Sequence, residues 1–244
     1  MDHRATEALY KPVGHNMNSR ADDIIEKMKN SVYPELNFEF IYKLTNESER
    51  GAVLIGTSKV EEYLEKLSRK ILPSKTKSYT SRLLNYPGAL SSFSGKIELL
   101  YAFRIIDKRF YNSLNTLRKI RNNAAHSSEE FKLIDLQEEQ TKINDFEEDF
   151  VGLIEHLALN NLITSKKWKF EKILADQKEE SKPYFQKEIN KRLENLKDDE
   201  DIKEQLRIWI LSYGLVFMCL KIMVLIDDLD ILDNEKLTWI EIKK

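Results

Sequence analysis

Apolar residues recur at helical spacing over most of this chain, and the segments they mark set out its organisation. After Asn37 comes the apolar cluster FEFIYKL. Asn46 precedes Glu49 by three residues in the manner of a capping box, which predicts a helix from there to about Ile71. Val53, Gly56, Val60, Tyr63, Leu64, Leu67 and Ile71 lie along one stripe of it, and Pro73 stops it. Residues 73–92 are rich in Ser, Lys, Thr and Tyr and contain Pro87-Gly88. They read as a connection with at most a short helix around Ser81–Leu84, of a length that in compact domains often carries function. The helical period resumes through Phe93, Ile97, Leu100, Tyr101 and Ile105. Asp107 is placed to cap the next helix, through Phe110, Tyr111, Leu114, Leu117 and Ile120, which ends on Arg121-Asn122-Asn123-Ala124-Ala125-His126. Ser127 with Glu130 repeats the capping-box pattern and predicts a long helix through Phe131, Ile134, Ile143, Phe146, Phe150 and Leu157, breaking near Asn160-Asn161.

The two ends of the chain differ from this middle. Residues 1–20 mix charges, Pro and Gly without periodicity and read as a loose arm; Ala21–Asn30 predicts a short helix stopped by Tyr33-Pro34. Trp168–Leu196 is Lys- and Glu-rich and weakly amphipathic, with Pro183 breaking it into two helices. Ile208–Ile226 is nearly continuous apolar sequence whose length approaches that of a membrane span. Lys221 interrupts it, and the charges flanking it fit a soluble helix. The preferred reading is therefore a helix apolar on nearly all sides, buried centrally or shared with a second subunit. The tail after Asp230 adds one short element. Three regions follow: an arm and short helix over 1–35, a helical domain over 36–158, and a C-terminal helical extension over 159–244 packed on that domain or at a dimer interface.

Composition narrows the class. The 244 residues, 41% hydrophobic and 33% charged, suffice for one substantial core. With only seven Gly and five Pro, sandwiches, barrels and glycine-rich phosphate loops are disfavoured and the expectation is all-α. A net charge of -2 argues against a broadly basic nucleic-acid surface, so any such contact has to be local. Cys219 is the single cysteine, in an apolar run, which excludes a disulfide framework and a thiolate zinc cluster. That, and an N-terminus without the apolar core of a signal peptide, set the expectation of a cytoplasmic protein.

Candidate chemistry concentrates at residues 121–126. On a wheel of about 100° per residue, Arg121 falls close to the buried direction set by Phe110, Leu114, Leu117 and Ala124. An inward guanidinium needs an anion. Glu49, near the apolar stripe of its own helix, could supply a structural pair; alternatively Arg121 lines a cleft and holds a phosphate. His126 lies about 140° from Arg121 on the same wheel, so the two converge only if the helix loosens before Ser127 or if they meet across a dimer. Asn122, one turn before His126, is placed to orient its ring. A histidine interacting with free carbonyls at a helix C-terminus is the purely structural alternative. His126 and His156 have no metal-ligand partners at suitable spacing, and neither a metal nor a cofactor is expected.

The stretch Arg121-Asn122-Asn123-Ala124-Ala125-His126 resembles the R-x4-6-H motif of HEPN domains, in which an Asn, Asp or His usually follows the Arg. Two preceding pieces, from Glu47 to Gly56 and from Ser91 to Phe103, resemble the mannitol operon repressor family, and the similarity covers about Leu36 to Leu157. HEPN ribonucleases are helical bundles, commonly dimers, that cleave RNA without metal. The resemblance implies catalytic roles for Arg121, Asn122 and His126, with Glu49 and Arg50 supporting them. His126 would move a proton at the ribose 2′-OH or the leaving oxygen, Arg121 would hold the scissile phosphate, and Asn122 would hold His126. Such an enzyme fits a toxin or defence effector. The repressor-like relatives imply instead a non-catalytic regulator of transcription acting through a protein partner; no helix-turn-helix is evident for direct operator reading. Two local basic tracks are available to RNA: Lys75, Lys77 and Arg82 with Tyr79 and Tyr86, and Lys166, Lys167 and Lys169 with Trp168.

Overall fold

The computed structural model describes residues 36–72, 77–175, 183–184 and 200–242, with side chains of the last helix as far as Leu229. The expected arm, the Ala21–Asn30 helix and most of the Lys- and Glu-rich stretch after Ala175 lie outside these residues. The fold is all-α. Its helices are α1 (Phe38–Thr45), α2 (Glu49–Ile71), α3 (Lys77–Leu84), α4 (Phe93–Ala102), α5 (Lys108–His126), α6 (Gln137–Asn144), α7 (Phe150–Ala175) and α8 (Glu200–Ile242), with a 3-10 turn at Leu133–Leu136. No strand occurs among the described residues.

Helix starts follow local chemistry. Asn37, Ser92 and Asp107 cap α1, α4 and α5 by accepting from the backbone N–H three residues on, Asp107 from Phe110 at 2.7 Å. The start of α2 differs from the Asn46–Glu49 capping box. Ser48 is the cap, accepting from Gly51 N–H at 3.1 Å, because the Asn46 amide is engaged on the Tyr42 carbonyl at the end of α1. Beyond α5 the expected long helix is also absent. Ser127 closes α5 rather than opening a helix, and its hydroxyl accepts from Glu129 N–H at 3.1 Å. The chain then runs extended into the 3-10 turn, forms α6, and bends again before α7, where Asp149 takes a left-handed φ of 63°. α7 passes through Asn160-Asn161 without a break. Asn161 is buried there, its amide nitrogen donating to the Leu157 carbonyl at 2.9 Å and to the Tyr213 hydroxyl of α8 at 2.6 Å, so both of its N–H groups are used inside the helix pair.

The apolar helix α8 is the centre of the molecule. Every residue from Ile208 to Ile222 is buried, and α8 packs on α2, α7 and α1. The stretch Asp201–Leu229 is long and apolar enough to cross a membrane, yet 83% of its most apolar 18-residue window is buried inside the protein. Close approach is obtained with small residues. A methyl group on Gly56 of α2 would fall 2.2 Å from Leu215 Cδ1, and one on Gly214 would fall 2.0 Å from Asn144 Oδ1 of α6. Phe110, Phe146, Phe150, Phe217 and Tyr213 form a continuous run of ring contacts across α5, α7 and α8. The predicted stripe of α2 faces this core, with Val53, Val60, Tyr63, Leu64 and Leu67 at 0% exposure; burying each such side chain contributes about 1.5–3 kcal/mol.

Candidate functional site

The last turn of α5 lies beside the first turn of α2, and Arg50 joins them. Its guanidinium donates to the carbonyls of Ala124 at 2.6 Å, Ser127 at 2.9 Å and Glu129 at 2.7 Å. These are carbonyls that the helix end and the following turn leave open, and a cation there also opposes the negative end of the helix dipole. Phe131 packs under the same guanidinium, 5.7 Å from it. Glu49 holds the outgoing strand of chain, its Oε2 accepting from Leu133 N–H at 2.6 Å. Burial pushes the Glu49 carboxyl above its ordinary range, against the opposing pull of that hydrogen bond. Glu49 and Arg50 therefore clamp both sides of the turn that follows His126.

On this clamped end Arg121, Asn122 and His126 are all exposed. Arg121 does not point inward, and Glu49 is not its partner. In this final turn Ala124 alone fills the buried direction, and the longer Arg121 side chain leaves the bundle edge, where its Nη1 donates to Asn122 Oδ1 at 3.3 Å. Asn122 thus serves Arg121 rather than orienting His126, and His126 makes no hydrogen bond or ion pair among the described residues. The helix does not loosen before Ser127: α5 stays regular through His126. A single chain accordingly presents Arg121 and His126 about 140° apart around one helix.

Of the two basic tracks, Lys75 lies outside the described residues and Lys77 is described only as backbone at the start of α3. Arg82 is exposed beside Tyr79, 5.7 Å from its ring. Lys167 and Lys169 are exposed on α7 flanking Trp168, which is 56% exposed, while Lys166 is half-buried. His156 is elsewhere on α7, exposed and bonded to Asn160 at 2.8 Å. Among the described residues no group of three His, Cys, Asp or Glu is assembled that could hold a metal ion.

A groove of about 370 Å³ between α5 and α6 escaped the sequence reading. It is lined by Arg109, Asn112, Asn115, Thr116, Lys119 and Lys142 among others. Asn112, Thr116, Lys119, Asn123 and His126 recur at alternating spacings of four and three and so share one face of α5. The groove and His126 are therefore on the same stripe. The polar periodicity of α5 carried this signal, masked by the attention its apolar stripe and terminal motif attract.

No family model matches the chain, and no curated protein or solved structure is similar to it at a significant level.

Proposed function

We propose that the protein is a metal-independent endoribonuclease of the HEPN type, active as a homodimer in the cytoplasm, with Arg121 and His126 of two copies forming one cleft. The observation that carries this reading is the clamped, solvent-facing end of α5, where a cation, an amide and an imidazole have no partners outside their own turn among the described residues. In the reaction His126 accepts the proton of a ribose 2′-OH as that oxygen attacks phosphorus. The bond from phosphorus to the 5′-oxygen breaks, and His126 of the second copy protonates the leaving oxygen, giving a 2′,3′-cyclic phosphate and a 5′-hydroxyl end. Arg121 stabilises the charge that develops on the phosphoryl oxygens. The 140° between the two side chains is what makes a second copy necessary, and Lys119 and the groove beside it offer the strand a polar path toward His126. A toxin or defence effector, held inactive until triggered, suits such an activity.

The test is incubation of the purified protein with mixed RNA in EDTA beside Arg121→Ala and His126→Ala. Cleavage by the wild type, reduced at least about 100-fold in each variant, is expected. Cleavage unchanged in both variants, or none from a protein that sediments as a dimer, removes the enzyme reading and leaves the non-catalytic regulator acting through a protein partner. A monomer by analytical ultracentrifugation removes the composite cleft.

A further inference from the structure

We infer a second binding site at the opposite end of α5, for a small organic oxyanion with an apolar body, with Arg104 as its anchor. α4 ends in a full Schellman motif: Arg104 N–H donates to the Tyr101 carbonyl at 2.9 Å, and Ile105 N–H reaches back to the Leu100 carbonyl at 3.0 Å. The residue that must turn left-handed in this motif is usually glycine, because a Cβ crowds the backbone there. Here it is Arg104, at φ 58°. The strain therefore sits under a long, planar cation. That cation is exposed and has no hydrogen-bond or ion-pair partner among the described residues. Backbone strain of this kind clusters at ligand-binding sites, which marks Arg104 as a candidate anchor.

The surroundings say what it would anchor. Arg104 lines a cavity of about 660 Å³ together with Tyr101, Ile105, Ile106 and Leu225 on its apolar side and Asp107 and Lys221 on its polar side, a size typical of small-molecule sites. Lys221 is a lining residue whose ammonium is already engaged. Its ammonium donates to the Phe146 carbonyl at 2.8 Å and to Glu147 at 3.0 Å, and Asp107 lies 3.6 Å away. Among the described residues Arg104 is thus the charged group of this cavity whose side chain has no hydrogen-bond or ion-pair partner, and its guanidinium fork fits a carboxylate or phosphate bidentately. The apolar wall takes the rest of the ligand. Along α5 this site is about 28 Å from His126, so it is independent of the ribonuclease reading.

Isothermal titration of the full chain with phenyl phosphate and with phenylacetate tests the site, with inorganic phosphate and phenol as controls. At least one of the two aromatic anions should bind saturably, at least about tenfold more tightly than either control, and which one does so assigns the oxyanion. Arg104→Gly and Arg104→Ala should each weaken that binding at least about tenfold. Their stabilities should diverge: Arg104→Gly relieves the left-handed strain and raises Tm by about 2–4 °C, whereas Arg104→Ala keeps the strain and does not. Equal binding by Arg104→Gly, no preference over the controls, or a lowered Tm in Arg104→Gly would overturn the proposal.

Discussion

Arg50 is the residue whose removal tests the architecture of the candidate site most directly. In Arg50→Ala the carbonyls of Ala124, Ser127 and Glu129 lose their common donor. Two of these bonds are part-buried and one is exposed. Counting about 1–1.5 kcal/mol for each part-buried charged bond and about 0.5 kcal/mol for the helix dipole gives a loss of about 3 kcal/mol. For a chain of this length that corresponds to a fall in Tm of about 6–12 °C. Urea unfolding at pH 7 measures the energy. Amide hydrogen exchange locates it, since the N–H groups of Ser127, Glu129 and Leu133 are all held in the turn that Arg50 organises and should exchange faster in the variant. Arg50→Lys should recover only the dipole part, because an ammonium cannot reach three divergent carbonyls as a planar fork does. If Arg50→Ala stays within about 0.5 kcal/mol of the wild type, the range of an inert surface change, and these amides remain protected, the clamp has no energetic meaning.

Other substitutions probe the remaining polar contacts. Because burial raises the Glu49 carboxyl in the folded state, the folded chain holds that proton more tightly than the unfolded chain, so its contribution is fullest at low pH and is lost as pH rises from the ordinary carboxylate range through the raised value. Melting curves across that window should show the Tm advantage of wild type over Glu49→Gln shrinking as pH increases; a constant difference contradicts the assignment. Lys221→Met leaves the Phe146 carbonyl and the Glu147 carboxylate without their buried donor and should lower stability by about 2 kcal/mol in urea. Cys219 is fully enclosed and burial pushes its thiol far above the usual range, so it should react with a thiol reagent only after denaturant is added.

The local parts of this structure are readable in the order of residues. The apolar stripe of α2, the Asp107 cap and the pervasive apolarity of α8 each depend on neighbours within a turn or two, and each appears in the fold. The failures also have local rivals. Asn46 and Ser48 both have cap chemistry, and the choice fell to Ser48 because α1 had already taken the Asn46 amide. Asn160-Asn161 would break an isolated helix, but Tyr213, far along the chain, receives the Asn161 amide in the core. Arg121 shows the same division within the candidate site. Its place on the wheel points toward the bundle, yet its solvent exposure depends on where the bundle ends.

Helical period and capping are properties of contiguous residues, so the chain carries them openly. The bonds from Arg50 to Ala124 and Glu129 span 74 and 79 residues. Neither end of such a bond has a reason to choose the other until α2 and α5 are packed. Packing alone made Arg50 the clamp of the motif, turned Arg121 outward, and set Arg104, without a partner among the described residues, beside the cavity that Tyr101, Ile106 and Leu225 line.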